Sequence, residues 1–169
     1  IHGVKYFNND VKYLKEEHKL LDIGTGGGEF LLTLNHPYHN TIVTEGYLPN
    51  FEICLKKLVP LGIKVYNYVG DEKLEEIADN EFDIVINRHE SYNEKELYRI
   101  LKPNGLFITQ QVGAFNNNQL SKFFNENQEC GTQIPLITKT IKQCGGTIHS
   151  MEVVYTETKD LKFKRRKDT

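Results

Sequence analysis

A glycine-rich stretch near the start of the chain has the residue types and spacing of a ligand-binding loop. Asp22, Gly24, Gly26 and Gly28 form the pattern D-x-G-x-G-x-G between an apolar segment and a predicted apolar helix. Because glycine has no side chain and tolerates positive φ, such a loop lets the backbone approach a ligand closely. The loop also leads to a helix N-terminus, where free N–H groups favour negative charge such as a carboxylate.

The spacing of these glycines disfavours a dinucleotide ligand. In the dinucleotide pattern G-x-G-x-x-G, the third glycine permits tight packing between helix and strand. Counted from Gly24, that third place is Glu29, whose charge would repel a pyrophosphate. A dehydrogenase is therefore the weakest interpretation of the loop, and a tight turn without any ligand is the plain structural alternative.

Polar residues also follow the second and third apolar segments. Glu45 stands a little over 20 residues past Asp22, where an acid can accept hydrogen bonds from both hydroxyls of a ribose. Asp71, after Gly70, can accept a hydrogen bond from an adenine amino group or can cap the next helix. These two interpretations of Asp71 are compatible with each other.

The fourth apolar segment ends in Asn87-Arg88-His89-Glu90. His89 titrates near neutral pH and can accept a proton from a nucleophile. Arg88 can orient an anionic substrate through two parallel hydrogen bonds. The alternative is a surface loop in which Arg88 and Glu90 pair with neighbouring residues.

Alternating strands and helices must position these groups. Short, nearly continuous apolar runs predict buried parallel strands over residues 19–23, 41–44, 64–69, 82–86, 106–111 and 147–156. Helices are predicted over residues 8–17, 28–34, 49–59, 72–78, 94–101, 119–125 and 135–143. This order predicts an α/β fold with a doubly wound, mostly parallel, Rossmann-like sheet flanked by helices. Ligands of such sheets lie beyond the carboxyl ends of the strands.

Bulk properties indicate one domain in a reducing compartment. The 169 residues suit a single α/β domain, which we place over residues 1–160, followed by a charged tail over residues 161–169. The 21 basic and 23 acidic residues nearly cancel, which disfavours bulk nucleic-acid binding. The three cysteines show no C-x-x-C spacing, and no membrane-length apolar run or signal peptide is visible, so we expect a cytoplasmic protein without membrane association.

With these residues in view, the chain resembles the class I S-adenosylmethionine (SAM) dependent methyltransferases over about residues 1–156. The glycine loop carries most of this resemblance. The turn Leu101-Lys102-Pro103-Asn104-Gly105 is similar to the family's L-K-P-G-G before strand five, and Phe82-Asp83-Ile84-Val85 matches the usual start of strand four. Residues 86–90 and 107–113 resemble a group of small bacterial members.

The resemblance implies SAM as the cofactor, with the acid of the loop facing its methionine end and the glycines lining its underside. The implied cofactor-binding residues are Asp22, Gly24, Thr25, Gly26, Gly28, Glu45, Gly46, Gly70, Asp71 and Asn87, and the candidate catalytic residues are His89 and Arg88. The implied reaction is an in-line methyl transfer to a small-molecule acceptor, in which the protein aligns the nucleophile and excludes water.

Departures from the family pattern narrow this expectation. Asn87 is followed by Arg88-His89 rather than Pro-Pro-Tyr, which disfavours N-methylation of DNA bases. This loop also has no cysteine, the nucleophile that methyltransferases acting on cytosine C5 require there. Glu90 and Glu94 do not form a convincing octahedral set, so we predict no metal. Residues 160–167 are too charged for a buried seventh strand, so the last strand is missing or irregular. An RNA methyltransferase using the basic tail and a non-catalytic SAM-binding subunit are the alternatives, and the oligomeric state is left open.

Overall fold

Five parallel strands form the sheet in this computed structural model, which describes residues 13–68 and 73–110. The strands lie in the order β3-β2-β1-β4-β5, and each neighbouring pair runs parallel. Their bounds are Leu20–Ile23 for β1, Thr41–Glu45 for β2, Lys64–Asn67 for β3, Phe82–Arg88 for β4 and Leu101–Gln110 for β5. The strand order reverses between β1 and β4, which is the point where open α/β sheets bind ligands.

Helices connect these strands. They are α1 (Glu29–Thr33), α2 (Leu48–Lys57) and α3 (Glu94–Ile100), with 3₁₀ turns at Tyr38–Asn40 and Val59–Leu61. The side chain of Asn93 caps α3 by accepting hydrogen bonds from the backbone N–H groups of Lys95 and Glu96. None of the helices in the described ranges is long and apolar enough to cross a membrane.

The strands β1, β2 and β4 are buried on both faces of the sheet, which explains their largely apolar sequences. Leu20 belongs to a buried cluster with Leu58, and the next residue, Leu21, belongs to a second cluster with Leu97 and Ile100. Because successive strand side chains point to opposite faces, the two clusters lie on opposite sides of the sheet, covered by α2 and α3 respectively. The predicted doubly wound Rossmann-like fold is confirmed.

The predicted ends of the strands differ from the observed ends by one or two residues, except in β5. Leu101 already pairs with Phe82, whereas Leu106 pairs with Ile84, so residues 102–105 bulge out opposite Asp83 alone. The left-handed φ of 66° at Asn104 makes this bulge. The Lys-Pro-Asn-Gly turn therefore interrupts the start of the strand instead of preceding it.

The helix predicted over residues 72–78 is wrong, because residues 73–80 form turns. Side chains of α3 form hydrogen bonds with backbone N–H and carbonyl groups that would otherwise pair within a helix. Arg99 donates to the carbonyls of Leu74 (3.0 Å) and Ile77 (2.9 Å), and Glu96 accepts from the N–H of Leu74 (2.9 Å). These tertiary hydrogen bonds outweigh the weak helix propensity of the segment.

Several predicted elements lie wholly or partly outside the described residues. Residues 13–17 of the predicted leading helix contain no α-helix, and its earlier part is not described. The helices predicted over residues 119–125 and 135–143, the strand over 147–156 and the charged tail also lie outside. The division into a domain over residues 1–160 and a tail stays a prediction.

Candidate functional site

The glycine loop after β1 has the backbone conformation that its sequence requires. Gly24, Gly26 and Gly28 have φ values of 69°, 64° and 76°, in the left-handed region that other residues adopt only with strain. The loop is tied to the end of β2, since the N–H groups of Gly24 and Thr25 both donate to the carbonyl of Thr44 at 3.0 Å. Alternate glycines therefore produce a tight bend at the carboxyl edge of the sheet.

The three glycines differ in what surrounds them. A Cβ on Gly24 would lie 2.5 Å from Cβ of Glu90, and one on Gly28 would lie 3.0 Å from the side chain of Leu58. A Cβ on Gly26 would meet nothing within 4 Å. Gly24 and Gly28 are therefore needed for packing, whereas Gly26 faces open space in which a ligand can approach the backbone.

Glu45, the last residue of β2, lies directly against this open part of the loop. It is 4% exposed, its Oε2 accepts from the N–H of Gly26 (2.7 Å), and its Oε1 accepts from the N–H of Tyr47 (2.8 Å). Two backbone donors thus fix the carboxylate, and each oxygen keeps a further lone pair for a ligand hydroxyl. Gly46 follows this residue, and Tyr47 beyond it is mostly exposed.

Helix α2 supports the loop from the other side through residues that the sequence analysis missed. Cys54 Sγ donates to the carbonyl of Gly26 (3.0 Å), and Lys57 Nζ donates to the carbonyl of Gly27 (3.0 Å) and to Glu29 (2.8 Å). Burial raises the pKa of the Cys54 thiol to about 11, so it acts here as a neutral donor. No sequence signal marks these two residues, because both contacts arise from packing.

Asp22 is the third of the four residues of β1, two residues before Gly24, and it is 3% exposed. Burial raises the pKa of its carboxyl group from 3.8 to about 7. A hydrogen bond with the Thr25 side chain and the positive charge of Arg88 oppose this rise, and the negative charge of Glu45 adds to it. Near neutral pH the protein therefore holds Asp22 partly protonated, which a cationic ligand would reverse.

The end of β4 brings the other predicted residues to the same edge. Asn87 is fully buried, pairs in register with Ile23 and accepts a hydrogen bond from the Thr109 hydroxyl (3.3 Å). The guanidinium of Arg88 lies over the ring of Phe30, 4.2 Å from its centroid. Arg88 thus packs against α1 and influences Asp22, in addition to any role toward a substrate.

His89 leaves the sheet through a left-handed turn, with φ of 66°. Its N–H donates to the carbonyl of Gln110 (2.8 Å), which anchors the turn to β5. Desolvation lowers the pKa of the imidazole below its usual 6.5, and the charge of Arg88 lowers it further. His89 is therefore neutral at pH 7, the state in which it can accept a proton.

The roles assigned to the site residues stay predictions, and for two of these residues the geometry is not described. Gly70 and Asp71 lie outside the described residues. Among the residues that are described, no three His, Cys, Asp or Glu side chains converge as a metal site. The predicted absence of a metal stays a prediction.

The fold of this chain is that of the class I SAM-dependent methyltransferases, as the resemblance predicted. A SAM-dependent methyltransferase from Aquifex aeolicus matches with a TM-score of 0.61 at 17% identity, covering 84% of this chain and 78% of that one. A Galdieria sulphuraria protein assigned as a sarcosine dimethylglycine methyltransferase matches with a TM-score of 0.62 at 15% identity over 85% of this chain. The chain spans 61% of the length of that protein.

A complex with the Haloferax volcanii Trm112 methyltransferase activator also matches, with a TM-score of 0.62 at 18% identity over 85% of this chain and 67% of that one. At these identities the likeness shows the fold. The sequence shows to which family the chain belongs. Residues 6–121 match the family described as methionine biosynthesis protein MetW, and the chain belongs to that family. No curated protein is significantly similar to the chain in sequence.

Proposed function

We propose that this protein is a SAM-dependent methyltransferase that methylates a small-molecule acceptor. The observation that carries the proposal is the pairing of Gly26 with Glu45. The glycine faces open space, and its N–H is bonded to a buried carboxylate at the end of the neighbouring strand. This combination suits a nucleoside whose ribose hydroxyls bind Glu45 while the rest of the nucleoside lies against the backbone of Gly26.

The remaining residues of the site then take defined roles. Asp22 and Asn87, near the carboxyl ends of β1 and β4, are assigned to the methionine end, with Thr25 beside Asp22. Gly46, Gly70 and Asp71 are assigned to the adenosine end on the resemblance alone. When bound, SAM supplies a methyl group that is already activated, so the protein has to align the acceptor and exclude water. His89 accepts the acceptor's proton, and Arg88 orients the acceptor.

The charges around the loop favour SAM over a pyrophosphate cofactor. The side chains of Asp22, Glu45 and Glu90 surround the loop. Of the nearby cations, Arg88 influences Asp22, and Lys57 is paired with Glu29. SAM presents a sulfonium and an ammonium group, which these carboxylates attract, whereas a pyrophosphate would be repelled. The residues present therefore fit the cofactor that the resemblance implies.

Calorimetric titration of the full chain with SAM and with NADH tests the cofactor assignment. The chain should bind SAM, and Glu45→Gln should weaken that binding about tenfold or more, because a hydrogen bond to a charged group contributes about 1.5–3 kcal/mol. Glu52→Gln is the matched control, since Glu52 is exposed on α2. Tighter binding of NADH than of SAM, or equal SAM affinity in both variants, contradicts the assignment.

A transfer assay with methyl-labelled SAM tests the acceptor class. We expect label in small molecules from a metabolite extract and none in RNA. Label in RNA that disappears when residues 162–167 are deleted would favour the RNA methyltransferase alternative. SAM binding without label in either fraction would favour a non-catalytic subunit.

A further inference from the structure

We propose that Glu90 recognises the α-ammonium group of the cofactor's methionine moiety. This inference rests on the proposed function and extends it to a residue for which the sequence suggested only pairing with neighbours. It names Glu90 as a determinant of affinity for the amino-acid part of the cofactor.

The first argument is the contact between Glu90 and the glycine loop. Cβ and Cγ of Glu90 lie 2.5 Å and 2.7 Å from the position that a Cβ on Gly24 would occupy, and Oε2 lies 3.2 Å from it. The Glu90 side chain therefore covers the backbone of Gly24, and only glycine leaves room for it. Gly24 is two residues from Asp22, so the Glu90 carboxylate lies at the end of the loop to which the methionine moiety is assigned.

The second argument is the way in which the carboxylate is oriented. Oε1 of Glu90 accepts hydrogen bonds from the N–H (3.0 Å) and the hydroxyl (3.2 Å) of Ser91. The His89 N–H bond to Gln110 holds the turn just before it. Of the two carboxylate oxygens, Oε2 is the one that lies close to Gly24.

The third argument comes from the other two carboxylates of the loop. Glu45 accepts hydrogen bonds from the backbone N–H groups of Gly26 and Tyr47, one on each oxygen. Asp22 is buried beneath the loop. Glu90 is partly exposed, and its side chain lies against Gly24. An ammonium group is a point charge with three donors, and a partly solvated carboxylate at this position is a suitable acceptor for it.

Calorimetry with three ligands tests the inference. SAM and S-adenosylhomocysteine carry the α-ammonium group, and methylthioadenosine lacks the whole amino-acid moiety. Glu90→Gln should weaken binding of the first two about tenfold or more and leave methylthioadenosine within about twofold, because only the first two lose a charge-assisted hydrogen bond. Glu52→Gln should change none of the three affinities.

A ligand-side measurement keeps the test independent of how well the variant folds. In the unaltered protein, S-adenosylhomocysteine without its α-amino group should bind about tenfold more weakly than the intact compound. Equal weakening of methylthioadenosine by Glu90→Gln, or no loss from removing the amino group, overturns the role of Glu90 and leaves the proposed function standing. Failure of the unaltered protein to bind SAM overturns both.

Discussion

Replacing Asp22 with asparagine should change how the stability of the ligand-free protein depends on pH. Asp22 is buried in β1, and its pKa rises from 3.8 to about 7 through burial. Groups that influence it are Thr25, Arg88 and Glu45. Asparagine has nearly the same shape but never ionises, so the variant isolates the effect of the charge.

The expected magnitude follows from the pKa shift. Below about pH 4 the carboxyl group is protonated in both the folded and the unfolded chain, so it has no pH-dependent effect. Between about pH 4 and pH 7 the unfolded chain releases the proton and the folded chain keeps it, so stability falls as pH rises. A shift of about 3 units corresponds to a penalty of about 4 kcal/mol above pH 7. Asp22→Asn removes this penalty.

Urea denaturation of the ligand-free chain at one-unit intervals from pH 4 to pH 8 measures the effect. The free energy of unfolding of Asp22→Asn, relative to the unaltered protein, should rise by up to about 4 kcal/mol across this range. Using the difference cancels the pH-independent cost of the substitution. Parallel curves for the two proteins, with a constant difference at every pH, would refute the reasoning about Asp22.

Three further predictions concern other parts of the structure. Gly24→Ala should destabilise the fold more than Gly26→Ala in thermal unfolding, since both have positive φ but only the first meets Glu90; equal losses would contradict the packing argument. Arg99→Met should lower the free energy of unfolding, measured by urea denaturation, by about 3 kcal/mol, because it releases the turns over residues 73–80 and leaves buried partners unpaired. A decrease of less than about 1 kcal/mol would count against this role of Arg99. His89→Asn, which tolerates the left-handed φ, should lower the methyl-transfer rate about 100-fold and abolish the fall in rate below pH 6.5, whereas an unchanged pH profile would exclude His89 as the base.

The sequence predicted the central strands well because β1, β2 and β4 are buried on both faces. Leu20 and Leu21 lie in opposite hydrophobic clusters, and this two-sided burial produces the continuous apolar runs from which the strands were recognised. The helix predicted over residues 72–78 was wrong because backbone groups of Leu74 and Ile77 form hydrogen bonds with Arg99 and Glu96, which are more than 20 residues away in the sequence. Local patterns carry no information about such partners.

The candidate site was likewise predicted where its features depend on local sequence and missed where they depend on tertiary contacts. The D-x-G-x-G-x-G pattern predicted the bend and its glycines, because positive φ imposes a local requirement for glycine. The loop's contacts with Cys54, Lys57 and Glu90 depend on distant elements that meet only in the folded chain. The packing of Arg88 on Phe30 was missed for the same reason.

The structure of the chain crystallised with S-adenosylhomocysteine tests the central claim most directly. We expect both ribose hydroxyls to lie about 2.6–3.2 Å from the Glu45 carboxylate, with the nucleoside against Gly26. A nucleoside bound elsewhere, or one whose ribose makes no contact with Glu45, would contradict it.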